Sequence, residues 1–255
     1  QIKGFGQFDA LSLIANRPTG GFQDIFLMAR QTGLSPAALE KLAEADAFGS
    51  LGLSRREALW AVRRFGKGRK ALPLFEAAQN FNHNMGVSAE FGPEAPVNLP
   101  IMGPGEEIIE DYASLRLSLK GHPISMLRDS LSAAGVCKAT DLVNFKNNER
   151  INHAGLAIVR QRPGTASGVV FITLEDETGI TNLVVWSKVM EQFRREVMTA
   201  TVLGVSGKLQ REDGVTHIIA DKLVDLSGML QSLTDNTRIA RANNAHPRNL
   251  RWATP

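Results

Sequence analysis

Five short runs decide the fold: INHAGLAIV at Ile151–Val159, VVFITL at Val169–Leu174, ITNLVVW at Ile180–Trp186, TVLGVSGKL at Thr201–Leu209 and VTHIIADKLV at Val215–Val224. Each is rich in β-branched residues and too short for a buried helix, so each reads as a strand. Between the third and fourth runs, Val189, Met190, Phe193 and Val197 recur at helical spacing within Ser187–Met198. Asp213-Gly214 supplies a hairpin turn before the fifth run. Five strands with one helix between the third and fourth is the order of an OB-fold barrel, expected here over 150–230.

Upstream, the periodicity is helical. Short helices are expected at Gln7–Ala15, Asp24–Thr32, Pro36–Ala45 and Arg55–Phe65, separated by Gly33, Gly49 and Gly52. Ser35 is placed to cap the third, with Pro36 at its first position, and Ser54 and Glu57 have capping-box spacing on the fourth. Residues 67–103, rich in Gly, Pro, Asn and Ala, read as a linker. Residues 104–149 read as a helical connector with helices Glu106–Leu119, stopped at His122-Pro123, and Ile124–Ala134. From 231 to 255 the chain is polar, with Arg238, Arg241, Arg248 and Arg251, and reads as a disordered basic tail. The fold class is therefore multi-domain α + β: an all-α region over 1–66, a small helical linker, and a five-stranded barrel.

Composition narrows the function. No run approaches the roughly 18–20 apolar residues of a membrane span, and no signal-peptide layout opens the chain, so a cytoplasmic setting is expected. A single cysteine, Cys137, forms no internal disulfide, and no Cys/His cluster has zinc spacing. The net charge is only +3, but it is unevenly spread. Residues 1–70 hold 11 Lys/Arg against 6 Asp/Glu and residues 71–149 hold 5 against 10, while 150–226 are balanced at 9 each. A polyanion is therefore expected to meet the front of the chain.

The candidate contact residues follow. Lys3-Gly4-Phe5-Gly6 before the first helix has the form of the hairpin in a helix-hairpin-helix motif, whose glycines let backbone amides approach a phosphate. An ordinary glycine turn would look the same. The motif's first helix would precede Gln1, so the chain is expected to be cut from something longer. Arg55, Arg56, Trp60, Arg63, Arg64 and Lys67 form a basic cluster with one aromatic on the fourth helix, either a phosphate-binding face or a solvated one. In the barrel, Arg160 and Arg162 lie in the first loop and Lys208 and Arg211 beside the last, the two loops that flank an OB groove. Phe171 alternates with Val170 and Ile172, which leaves base stacking and core burial equally open, whereas Trp186 is expected to pack. The acidic run Glu175-Asp176-Glu177 stands at a strand-to-strand turn, where carboxylates are expected to solvate, and no catalytic residue or metal ligand is assigned.

Four separated motifs carry a family likeness: Ala43–Phe48 with Arg55–Trp60, Leu117–Pro123, Val159–Gly164 and Leu174–Gly179. Together they resemble the error-prone branch of the C-family bacterial DNA polymerases, the ImuC-type relatives of the polymerase III α-subunit, at their C-terminal end. The resemblance implies a parent DNA-directed DNA polymerase that uses magnesium and deoxynucleotides and acts in SOS translesion synthesis and repair. These residues would hold primer-template and single-stranded template, without the catalytic carboxylates and with no cofactor of their own. It also implies ImuA- and ImuB-type partners and a sliding clamp. Leu72, Leu74 and Phe75 keep the hydrophobic anchors of the family's clamp-binding pentapeptide but lack its glutamine. The other readings are a protein-docking module for mutasome subunits or the clamp, with DNA contact incidental, and a tRNA-binding OB-fold.

Overall fold

The computed structural model describes residues 2–66, 99–164, 168–212 and 214–234. They divide into two compact units, one from 1–102 with 110–117 and the other from 103–109 with 118 onward. Lys67, Leu72, Leu74 and Phe75 lie outside the described residues, as does the chain after Thr234.

In the first unit the helices form where their end signals place them. Helix α1 spans Gln7–Ala15, α2 Ile25–Thr32, α3 Pro36–Glu44 and α4 Arg55–Gly66. The Asp24 carboxylate accepts from the Leu27 amide and the Ser35 hydroxyl from the Ala38 amide, capping α2 and α3. The Ser54 amide donates to Glu57 at 2.8 Å and the Glu57 amide to the Ser54 hydroxyl, a reciprocal box on α4. Ile25, Met28, Leu39, Leu42, Phe48, Ala58 and Val62 make the core of this unit. Helix α1 contributes little to it, burying no residue fully and leaving Phe8, Leu11 and Ile14 exposed.

Arg55 departs from its expected place on a basic surface. It is 1% exposed, and its guanidinium pairs with Asp111 on α5, Pro104–Leu115. As the first residue of α4 it points inward toward that carboxylate, and a charge so buried persists only when paired. Helix α5 also ends earlier than periodicity predicts, because Arg116 turns into the left-handed region at φ 63°.

The second unit is a closed barrel in the order β1-β2-β3-β5-β4, built from Arg150–Gln161, Val170–Asp176, Gly179–Val185, Val202–Glu212 and Val215–Asp225. All neighbours are antiparallel except β3 and β5, and β1 pairs with both β2 and β4 to close the ring. Its interior is Ile172, Leu174, Leu183, Leu203, Val205, Leu209 and Ile218, the inward half of each alternation. A Cβ on Gly207 of β4 would sit 2.2 Å from the Ile219 carbonyl oxygen, so the close approach of the strands opposite the β5 bulge at Asp221 requires glycine there. The expected single helix between β3 and β4 is two, α7 Ser187–Gln192 and α8 Arg194–Thr199, broken at Phe193. Helix α6 runs Pro123–Ala133 and a 3-10 turn occupies Ala139–Asn144. Residues 231–234 of the expected tail are helical, as the end of α9, Gly228–Thr234, with Leu233 packed on Gly105.

The acidic run does not solvate; it organises this unit. The β2–β3 turn has two central residues, Glu177 and Thr178, neither at positive φ, so it lacks the usual primed hairpin geometry. Asp176 compensates: one oxygen accepts from the Thr178 amide, the Thr178 hydroxyl and the Gly179 amide at 2.7–3.0 Å. Its other oxygen accepts from the Ala139 amide at 2.7 Å and faces Arg128 of α6 at 3.5 Å. Arg128 in turn grips Glu177 through two nitrogens at 2.6 and 2.9 Å. Burial pushes both carboxyls up, but these bonds prevail and hold Asp176 and Glu177 below their ordinary range. Replacing Arg128 with alanine would leave two carboxylates uncompensated, one of them fully buried. We expect a loss of about 3–5 kcal/mol of stability, seen as a lower urea midpoint.

Two imidazoles border this network. Burial pushes His153 down, although the Cys137 carbonyl at 3.0 Å and Asp176 and Glu177 oppose that, and Arg128 adds to it. Its Nε2 meets no partner among the described residues. Burial likewise lowers His122 against the pull of Glu175, Glu177 and Asp176, and its Nδ1 caps α6 by accepting from the Ile124 amide. Both depressed values mean that the unfolded chain binds protons before the folded one, so stability is complete above about pH 6.5 and falls as the pH drops through it. The carboxylates add a further loss only below about pH 4. The thermal midpoint should fall between about pH 6.5 and pH 5, and a His122→Asn/His153→Asn double variant should stay flat there relative to its own value at about pH 8.

Candidate nucleic-acid interface

In the first unit, Ile2-Lys3-Gly4-Phe5 makes a tight turn, with the Phe5 amide donating to the Ile2 carbonyl at 3.2 Å and Gly4 at φ 76°. A side chain at Gly4 would be strained whatever the space around it. Ile2 and Phe5 pack against the core of the unit, and the Lys3 amide donates to the Ser114 carbonyl of α5 at 2.9 Å. Phe5 is therefore the anchor of the hairpin rather than part of its exposed edge. Lys3, Gly4 and Gly6 are exposed, and Gly6 stands at the N-terminus of α1 without a side-chain cap. Amides and positive dipole at such a helix start, beside an exposed lysine, suit an anion, which would share them with the Asp9 carboxylate of the first turn, 2.9 Å from where a Cβ on Gly6 would lie.

A groove of about 490 Å³ runs beside this hairpin, lined by Lys3, Gly4, Lys41, Leu59, Arg63 and Ser114 with Glu44 and Glu110. Two of its cations are held by acids of α3: Lys41 by Glu44 at 2.7 Å and Arg63 by Glu40 at 3.2 Å. The bond to Glu44 pushes the Lys41 ammonium up. Among the described residues, no ion pair engages the Lys3 ammonium. On α4, Trp60 is exposed and Arg56 donates to the Pro100 carbonyl, while only the backbone of Arg64 is described. The basic face is thus narrower than the sequence suggests, because Arg55 is internal and Arg63 is partly neutralised. Lys41 joins Lys3 in the groove; standing close to two glutamates in the sequence, it carries no local signal that would single it out.

On the barrel, β-pairing aligns outward positions in rows. One row passes through Gln161, Phe171, Val184, Ile219, Lys208 and Arg150, and the next through Val159, Thr173, Asn182, His217 and Gln210. Phe171 is 37% exposed, which decides its orientation: outward, not core. Trp186 is 53% exposed and does not pack as expected, because the outward parity of β3 carries through it. Of the four loop cations, Lys208 and Arg162 are exposed. Arg160 and Arg211 are not free to line a groove. Arg160 donates to the carbonyls of Val197 and Ala200 at the end of α8, and Arg211 donates to the Leu142 carbonyl at 2.5 Å. Each satisfies orphan carbonyls at the end of a helical turn, a structural task.

Other chemistry finds no support in this geometry. Burial pushes the Cys137 thiol up to about 11, and the His153 ring touches the Cys137 carbonyl rather than its sulfur, so the pair is no nucleophile and base. Asp176 and Glu177 have their oxygens committed to amides, a hydroxyl and Arg128, which does not fit a magnesium site. Among the described residues, no group of three His, Cys, Asp or Glu side chains is arranged to hold a metal ion. No described helix is long and apolar enough to cross a membrane.

Comparison with known proteins agrees with both units. Residues 1–58 match the family model described as helix-hairpin-helix motif, and residues 156–226 match an OB-fold nucleic acid binding domain. An error-prone DNA polymerase of Ruegeria pomeroyi is 47% identical over 233 residues, covering 91% of this chain and 20% of that protein. Error-prone DNA polymerase 1 of Rhizobium meliloti is 43% identical over 93% of the chain and 21% of its own length. That of Brucella abortus is 44% identical over 98% of the chain and 23% of its length. Among solved structures, asparaginyl-tRNA synthetase from Pyrococcus horikoshii is 22% identical over 31% of the chain and 19% of its own, with a TM-score of 0.28. The chain spans about a fifth of the length of the polymerases it matches, and over more than nine-tenths of its own length it is a relative of the error-prone DNA polymerases.

Proposed function

We propose that these residues hold DNA for an error-prone DNA-directed DNA polymerase acting in translesion synthesis and repair. The first unit would grip duplex phosphates and the barrel would hold single-stranded template. The observation that carries this reading is the hairpin itself. Its apolar residues Ile2 and Phe5 are drawn into the core, so Lys3, Gly4 and the uncapped start of α1 are presented to solvent at one edge. Such an edge contacts backbone phosphates without reading sequence, which is what a polymerase needs from a part that must accept any template. Nucleotidyl transfer, with its magnesium and deoxynucleotides, would fall to parts of the polymerase beyond these residues.

A specific observation favours protein docking as a second role for the barrel. Ile180 and Val215, neighbours by the parallel register of β3 and β5, are both exposed and apolar, and Ile158 and Val159 are exposed on β1. Accessory mutasome proteins or the sliding clamp are the partners such a surface would take in this reading.

Fluorescence anisotropy with duplex and primer-template DNA across a salt series separates the two. DNA holding predicts affinity that falls steeply with salt. It also predicts that a Lys3→Ala/Lys41→Ala variant binds every sequence more weakly, its logarithmic salt slope shallower by roughly one for each phosphate no longer neutralised. Salt-insensitive or absent DNA binding by the folded chain would favour docking.

A further inference from the structure

The barrel surface carries a second exposed aromatic that the proposed function has not used. The outer-face positions of β3, Asn182 and the covered Val184, continue to Trp186, whose backbone remains extended at φ −65°, ψ 153°. Trp186 is more exposed than Phe171 and stands at the start of α7. Parity places the ring outside, and a large aromatic half-exposed there offers an apolar face to a ligand. Phe171 pairs directly with Val184, which makes Trp186, two residues further along, its diagonal neighbour at about 7–8 Å across the strands. Both rings are therefore outward at the same end of the barrel.

A cation reaches the same end. Gly168, at φ 84°, brings the loop after β1 in close. A Cβ there would lie 3.4 Å from the Cβ of Ser187, the residue after Trp186, and 3.6 Å from Nη2 of Arg162. Unlike Arg160, whose guanidinium is committed to carbonyls, Arg162 is exposed, and no ion pair or hydrogen bond engages it among the described residues. Two outward aromatic faces with one unengaged guanidinium are what a flexible polyanion carrying flat bases requires: stacking for the bases and a counter-charge for the backbone.

We propose that Trp186 is a base-stacking platform for single-stranded DNA, working beside Phe171 with Arg162 on an adjoining phosphate. The proposal rests on the reading of the barrel as the single-strand-holding part. Because the barrel carries equal numbers of basic and acidic residues over 150–226, stacking rather than net charge must supply most of the attraction. Sequence preference is accordingly small, since every base offers a π-face.

The test uses the whole chain with a labelled oligothymidylate and with duplex DNA. Trp186→Ala should weaken oligothymidylate binding about tenfold and leave duplex affinity unchanged. Trp186→Phe should weaken it less, by roughly two- to threefold, and in a Trp60→Phe/Trp252→Phe chain, which keeps Trp186, the oligonucleotide should quench the intrinsic tryptophan fluorescence. That second readout stands even where the alanine variant is less well folded. Unchanged affinity in Trp186→Ala, with weakened binding in Phe171→Ala, would overturn the platform and leave the single-strand reading intact. Oligothymidylate that binds the Trp60→Phe/Trp252→Phe chain without quenching its remaining tryptophan would also overturn it. Failure of the unaltered chain to bind oligothymidylate at all would overturn the platform together with the reading beneath it.

Discussion

The second unit depends on one carboxylate. Asp176 closes the β2–β3 turn through three donors of that turn and, through the Ala139 amide and Arg128, fixes the segment that precedes the barrel to its surface. A turn of only two residues without positive φ is not self-supporting, and an α-helix placed against a barrel has no register of its own. A single buried acid settles both. The desolvation of such a group is costly, and it persists because five polar groups face it. Cys137, whose amide donates to the Asn152 carbonyl and which bridges to His153, extends the same attachment along β1.

The arginines divide by the same need for partners. Arg55, Arg128, Arg160 and Arg211 all have their guanidinium groups turned to carboxylates or carbonyls of the fold, whereas Arg162, like Lys3 and Lys208, is turned to solvent. The planar fork of arginine, with its five donors, is suited to tying together several acceptors at a helix end, so a count of arginines overstates the charge available to a ligand. In the first unit, Glu40 and Glu44 reduce it further. Among the described residues, what remains for a polyanion is a narrow set of cations beside a backbone edge, a geometry suited to positioning phosphates.

Much of the fold is legible in the sequence because it follows from local signals. The caps at Ser35 and Ser54 and the alternation in the five strands depend on neighbours within a few residues, and they appear where spacing predicts them. What is not legible depends on distant partners. Nothing near Arg55 reveals Asp111, 56 positions away, and nothing near Asp176 reveals Arg128, 48 away. The break at Phe193 and the early end of α5 at Arg116 escape a reading by period because apolar periodicity persists across a local change in backbone direction. Phe171 stays ambiguous for a related reason: alternation separates two faces without saying which is inside, and only closure of the barrel decides it.

Trp186 is the residue at which burial and parity conflict. A tryptophan at a strand end is assigned to packing because burial of its large surface is worth more than that of any smaller side chain. Yet parity along β3 is fixed by Leu183 and Val185, both fully buried, so residue 186 has to point outward as long as the backbone stays extended. Interior packing of two aliphatic neighbours therefore dictates the exposure of the aromatic. A barrel that is neutral in charge and carries aromatics on its outside can attract a nucleic acid through its bases, while a helical unit with a basic hairpin attracts it through its phosphates. These attractions depend differently on salt, so in the proposed reading one chain can hold double-stranded and single-stranded DNA without either surface competing for the other's ligand.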